Sequence, residues 1–148
     1  MSVAIESPRN PGIAELLRGG EAYAESLYPA EENFILSLEA LEKPGVTVFV
    51  ARTDGVALGM AALVIGEDGT ELKRLFVSDA ARGQGLAGRL LDVLEEHARA
   101  AGVRSIRLET GNVSHAAIAL YEKRGYAHIP RFGEYVGSAS SVCMELTL

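Results

Sequence analysis

Arg82-Gly83-Gln84-Gly85-Leu86-Ala87-Gly88 leads directly into the strongest amphipathic repeat of the chain. Leu86, Leu90, Leu94, Ala98 and Ala101, widened by Leu91, recur at spacings of three and four, which predicts a helix from about Gly85 to Ala101 with Gly102 as its stop. Leu75-Phe76-Val77 reads as a strand before it, and Val103 to Glu109 alternates like a strand after it. Strand, helix and strand in that order close as a right-handed parallel crossover, with the glycines between the first strand and the helix. Glycine lets the backbone come close to a ligand. The first N–H groups of a helix have no intrahelical partner, and the helix dipole favours an anion there. The segment therefore reads either as an anion-binding loop or as a plain strand-to-helix turn, and glycine spacing alone does not choose between them.

The flanking sequence predicts a mixed sheet. After a short apolar start at Val3 to Ile5, Pro8 to Gly12 breaks the chain before a helical stretch to about Leu17, which Gly19-Gly20 is expected to end. A less regular helical region follows from about Glu21. Beyond Pro29, Phe34, Ile35, Leu38 and Leu41 predict a helix over Glu32 to Leu41. Val46 to Val50, Val56 to Ile65 and Thr70 to Val77 then form a three-stranded meander, with turns at Asp54-Gly55 and Glu67-Asp68-Gly69. Glu71, Lys73 and Arg74 in its third strand mark an opening in the sheet or an exposed face. Ser114 is placed to cap a helix ending near Lys123, with Gly125 after it, and short strands follow around Tyr126 and from Ser141 to Leu148. The expected architecture is α/β, with six or seven mostly antiparallel strands flanked by helices and one parallel βαβ unit.

A chain of 148 residues fits one domain, 1–148, because domains hold roughly 100–200 residues. A net charge of −6 with no basic stripe removes the attraction that drives nucleic-acid binding. No apolar run approaches the roughly 20 residues of a membrane span. The lone Cys143 cannot form an intrachain disulfide, and no signal-type segment opens the chain, which together predict a cytoplasmic protein. His97, His115 and His128 lack metal-ligand spacing, so no metal is expected.

Gly83-Gln84-Gly85-Leu86-Ala87-Gly88 also fits G-x-G-x-x-G, with Glu109 where a dinucleotide fold places its ribose-binding acid. Against that reading, Ser78 to Arg82 separate the strand from the first glycine, a meander precedes the motif, and only the short stretch from Thr110 to Leu148 follows Glu109. Arg82, Gly85 and Ala87 match instead the signature of the GNAT superfamily of acyl-CoA N-acyltransferases: Arg or Gln, two residues, Gly, one residue, Gly or Ala. The chain resembles that family from Glu71 through Tyr126, including Leu75-Phe76-Val77 and Asn112 to Gly125. The resemblance implies acetyl-CoA as cofactor. Backbone N–H groups of Gly83, Gln84, Gly85, Leu86, Ala87 and Gly88 would hold its pyrophosphate, with charge added by Arg82. The main chain at Leu75, Phe76 and Val77 would pair with the pantetheine arm, and Asn112 and Ala117 would flank it. A homodimer is compatible with the same resemblance.

Acetyl transfer from a thioester to an amine needs a neutral amine, a polarised carbonyl and a proton for the departing thiolate. Tyr121 occupies the position of the family's proton-donating tyrosine. Glu71 stands where some histone-acetylating members carry a general base, and a strand charge held in a salt bridge is the competing role. Cys143, on a terminal strand, reads as a buried, inert thiol, so direct transfer is expected. Tyr28, Glu32, Arg131, Phe132 and Tyr135 are expected to shape the acceptor pocket, because the helical first third and the aromatic loop from Pro130 to Gly137 flank the thioester in relatives. The expected acceptor is a small-molecule amine, with a protein lysine or N-terminus as the other acceptor class. Outside that class stand a dinucleotide oxidoreductase and a non-catalytic acyl-CoA sensor.

Overall fold

Runs of β-branched and small apolar residues make Val46–Thr53 (β2), Val56–Gly66 (β3) and Gly69–Val77 (β4) an antiparallel meander. Asp54 and Gly55 both adopt positive φ, 51° and 79°, as a two-residue type I′ hairpin requires. Ser2–Ile5 (β1) extends the meander by pairing with β2. Ser105–Gly111 (β5), Ala127–Ile129 (β6) and Ser141–Thr147 (β7) complete a seven-stranded sheet of order β1-β2-β3-β4-β5-β7-β6. Every neighbouring pair is antiparallel except β4 with β5. The chain joins those two through the helix Leu86–Ala100, here α3 in chain order after Ile13–Leu27 (α1) and Leu38–Leu41 (α2), and ahead of His115–Lys123 (α4). This computed structural model describes Met1 to Leu148, and its mixed sheet flanked by helices agrees with the architecture read from the sequence.

Each face of the sheet carries its own apolar core. On one, Leu90, Leu91 and Leu94 of α3 and Tyr121 of α4 pack against Phe49, Leu72, Leu108 and Met144. On the other, Ile13, Leu16 and Leu17 of α1 and Leu41 of α2 pack against Val48, Val50, Met60 and Ala62. Each fully buried leucine of α3 contributes about 1.5–3 kcal/mol through apolar surface withdrawn from water.

Two helical expectations in the first third need correction. Gly19-Gly20 does not end a helix at Leu17, because α1 continues through both glycines to Leu27. Gly19 serves close approach: a Cβ on it would lie 2.8 Å from carbons of the Phe76 ring on β4. The helix expected over Glu32 to Leu41 shrinks to a 3₁₀ turn at Ala30–Glu32 and the single turn α2, whose N-cap Ser37 accepts from the Ala40 N–H at 3.2 Å. Between them Phe34, Ile35 and Leu36 are irregular and line a cleft, and the Leu36 carbonyl accepts from Arg74 Nε at 2.9 Å. Their apolar spacing serves the cleft wall, which sequence periodicity cannot tell from a helix face.

Candidate active site

The site begins with a defect in β4. Phe76 pairs with Met60, but the next pair is Lys73 with Ala62, so Arg74 and Leu75 together oppose Ala61, and Arg74 takes φ of 58°. This bulge bends the strand. On its other side β4 pairs with β5 only at Glu71↔Arg107 and Leu72↔Leu108, and beyond those residues the two strands part. The charges at Glu71, Lys73 and Arg74 therefore mark an opening.

A cavity of about 250 Å³ occupies the parting. Among the residues singled out in the sequence, Glu71, Leu75, Phe76, Ala117 and Tyr121 line it, and so do Tyr28, Glu32 and Tyr135. Val77, the Arg82 to Gly88 loop and Asn112 lie outside its lining. Arg131 and Phe132 also stand back from it. The Arg131 guanidinium donates to the carbonyls of Ser141 and Ala139, both at 3.0 Å, while the Phe132 ring receives Arg107 at 4.2 Å and meets the Tyr135 ring edge-on. These two residues brace the loop that carries Tyr135.

Within the cavity Glu71 belongs to a hydrogen-bonded chain. Lys73 Nζ donates to the Tyr135 hydroxyl at 2.7 Å, and that hydroxyl donates to Glu71 Oε2 at 2.5 Å. Burial, reinforced by the neighbouring Glu71, pushes the Tyr135 phenol well above its ordinary pKa, so it remains a donor. Glu109 faces the same space. Burial raises its carboxyl pKa, partly offset by a 2.6 Å hydrogen bond from the Ser141 hydroxyl.

Lys73, Glu109 and Ser141 were not singled out from the sequence as parts of such a cluster. Period-two alternation places Lys73 with Glu71 and Glu109 with Arg107. The Glu71↔Arg107 register then puts all four on one face. That register is a tertiary fact which the linear order does not contain.

Tyr121 projects from α4, one of the two helices that cover the other face of the sheet. It is buried, lines the cavity and packs against the Tyr126 ring at 5.5 Å. Burial first, and the charge of Glu109 second, raise its pKa far above the ordinary phenol value. The hydroxyl thus keeps its proton across the physiological pH range.

At the α3 N-terminus, Gly83 and Gly85 have φ of 81° and 74°, and a Cβ on either would meet nothing within 4 Å. No turn, loop or cap hydrogen bond is donated by the main chain from Gly83 to Gly88, and the first turn of α3 contains no acid. Open space, unpaired N–H groups and the positive helix end together fit a diphosphate. Arg82 is half exposed beside it, 3.3 Å from Asp79 and over the Tyr23 ring at 5.7 Å.

Comparison with known proteins agrees with this geometry. The family model described as Acetyltransferase (GNAT) family matches residues 11–126. A protein of Azospirillum brasilense named IAA acetyltransferase is 40% identical over 150 aligned residues, spanning 100% of this chain and 98% of its own. A solved structure from Klebsiella pneumoniae, assigned to the acyl-CoA N-acyltransferases, is 33% identical with a TM-score of 0.84, covering 99% of this chain and 97% of its own. The PaiA N-acetyltransferase of Thermoplasma acidophilum, solved in complex with coenzyme A, shares the fold at 20% identity with a TM-score of 0.77, and the whole of each chain is covered. The parted strands and the open glycine loop thus coincide with a family match that runs from before α1 to beyond α4, and the chain belongs to the GNAT family of acetyltransferases.

Proposed function

We propose that this protein transfers the acetyl group of acetyl-CoA to the primary amine of a small molecule, by direct attack in a ternary complex. The reading rests above all on the parting of β4 from β5 beyond Leu72 and Leu108, which leaves room between the α3 N-terminus and the cluster of Glu71, Glu109 and Tyr135. Bound acetyl-CoA supplies an activated thioester carbonyl, and the chain supplies the rest. The unpaired N–H groups from Gly83 to Gly88 hold the diphosphate, with Arg82 beside them, and the main chain of Leu75, Phe76 and Val77 on the β5 side hydrogen-bonds the pantetheine amides. Asn112 and Ala117 flank that arm. A backbone N–H near Val77 polarises the carbonyl.

An amine enters as a cation drawn by the carboxylates of Glu32, Glu71 and Glu109. Glu71, oriented by the Tyr135 hydroxyl, accepts one proton of the cation through water; the buried Tyr121 phenol donates a proton to the leaving sulfur and regains the second proton that the acylated nitrogen sheds. Arg131 and Phe132 act on the acceptor through the Tyr135 loop that they brace. With one buried cysteine and no helix long and apolar enough to cross a membrane, a reducing cytoplasmic setting suits the chain.

Calorimetric titration with acetyl-CoA, and separately with NADH, tests the cofactor. Acetyl-CoA should bind the native chain and fail to bind Gly85→Glu, while NADH should bind neither. Tyr121→Phe should keep acetyl-CoA affinity and lose about 10²- to 10⁴-fold in kcat. Unchanged turnover would exclude the phenol as the acid. The IAA of the Azospirillum relative's name belongs in the first acceptor screen.

A further inference from the structure

The segment from Tyr28 to Leu36 crosses the acceptor side of the cleft and is held at three points on three separate elements. The Tyr28 hydroxyl shares a 2.7 Å hydrogen bond with Ser114 Oγ at the start of α4 and accepts from the Val113 N–H at 3.3 Å. Glu32 Oε1 accepts from the Ser140 N–H at 3.2 Å, just before β7. Arg74, on the β4 bulge, holds the Leu36 carbonyl. Tyr28, Glu32, Leu36, Ser114 and Ser140 all border the cavity, so the segment works as a strap.

The first fastening depends on a missing side chain. Gly111, the last residue of β5, also borders the cavity, and a Cβ built on it would fall within the Tyr28 phenol ring. Gly111 has no positive φ, so its backbone does not call for glycine. What calls for it is the ring of Tyr28. The ring therefore occupies, in the cavity wall, the volume that a side chain at 111 would fill.

Building on the acetyl-transfer reading, we propose that Tyr28 and Gly111 form a size-limiting latch. It confines acceptors to short primary amines and excludes longer ones, including the amino end of a peptide. Ser114 fixes the ring by its hydrogen bond, but the ring itself sets the limit.

Thiol release from acetyl-CoA, measured with a series of linear primary amines from ethylamine to octylamine, tests the latch. In Tyr28→Ala the ratio of kcat/KM for hexylamine over ethylamine should rise at least about tenfold, since a single methylene in an apolar pocket is discriminated about 10- to 200-fold. Tyr28→Phe keeps the ring and should keep the native ratio. Tyr28→Ala with Gly111→Val refills the space and should restore the preference for short amines. Independently of activity, Gly111→Ala should lower the thermal midpoint of the native chain and leave that of Tyr28→Ala unchanged. An unaltered length profile in Tyr28→Ala overturns the proposal, as does equal tolerance of Gly111→Ala in both backgrounds. If no variant acetylates any amine although acetyl-CoA binds, the acetyl-transfer reading itself fails and the latch falls with it. Native-like transfer with an unaltered profile removes the latch alone.

Discussion

Gly19 and Gly20 are neighbours in α1, yet a methyl group has opposite consequences at the two positions. At Gly20 the nearest atoms to a Cβ are Arg74 Nη1 at 3.5 Å and Phe76 atoms at 3.7 and 3.8 Å, which is ordinary contact. Gly20→Ala should therefore gain the helix propensity of alanine, about 0.5–1 kcal/mol. At Gly19 the Phe76 ring stands at 2.8 Å, and the overpacking cost of about 1–3 kcal/mol outweighs that gain. Urea unfolding of the two variants should show shifts of opposite sign.

Glu109 makes a second prediction at the same scale, through pH. Its folded pKa is raised, mainly by burial, so the ionised form is disfavoured in the native state relative to the unfolded chain. The native state is most favoured by this group below the unfolded carboxyl pKa and loses that advantage as pH rises through the folded value. Glu109→Gln keeps an acceptor for the Ser141 hydroxyl and removes the charge. It should stabilise the protein near neutral pH, and the gain should vanish below about pH 4. A gain that persisted at low pH would mean that burial of the charge is not its cause.

Among the elements, α3 and α4 have to hold a fixed relation, because one supplies the glycine-loop N-terminus and the other supplies Tyr121. Glu95 of α3, only 5% exposed, makes much of that connection. Its carboxylate accepts from Arg124 Nη2 at 2.8 Å and from the Tyr126 hydroxyl at 2.9 Å. Arg124 also keeps Asp92 at 2.7 Å, so losing Glu95 orphans chiefly the buried phenol. Glu95→Ala should cost about 2–4 kcal/mol in urea unfolding, and Glu95→Gln clearly less, since its amide oxygen still accepts from Tyr126. Equal losses for the two would show that packing, and not the hydrogen bonds, holds the helices together.

This contrast also explains which parts of the fold could be read in advance. The helix α3 declares itself through a one-sided apolar repeat, and the glycine loop through a local pattern. Both are properties of contiguous residues. The strap is not, because its bond from Tyr28 to Ser114 spans 86 positions. Glu109 was read only as a ribose acid, since its closeness to Glu71 follows from the register of a parallel pair. Phe34 and Leu38 carried a helical rhythm that the cleft wall overrode, and Gly19-Gly20 looked like a stop because nothing local announces Phe76. The open glycine loop was therefore more legible in the sequence than the cavity, whose wall is assembled from residues far apart in the chain.

For the molecule as a whole, β4 joins the two cores. Leu72 packs into the α3 side and Phe76 into the α1 side, and the parting from β5 lies between them. A ligand seated there touches groups fixed by both cores, so its binding should oppose global unfolding and not merely a local opening. If acetyl-CoA binds the native state alone, a concentration of 100 times Kd adds about 2.7 kcal/mol. For a chain of this size that corresponds to a rise in Tm of about 5–10 °C. Gly85→Glu should abolish the rise. Its own Tm should fall by only a few degrees, because the left-handed φ of 74° costs a non-glycine residue about 1–2 kcal/mol while the surrounding space is open. A full shift retained in Gly85→Glu would place the diphosphate elsewhere than at the α3 N-terminus. A wild-type shift confined to an early, partial transition would show that the two cores unfold separately and that β4 does not couple them.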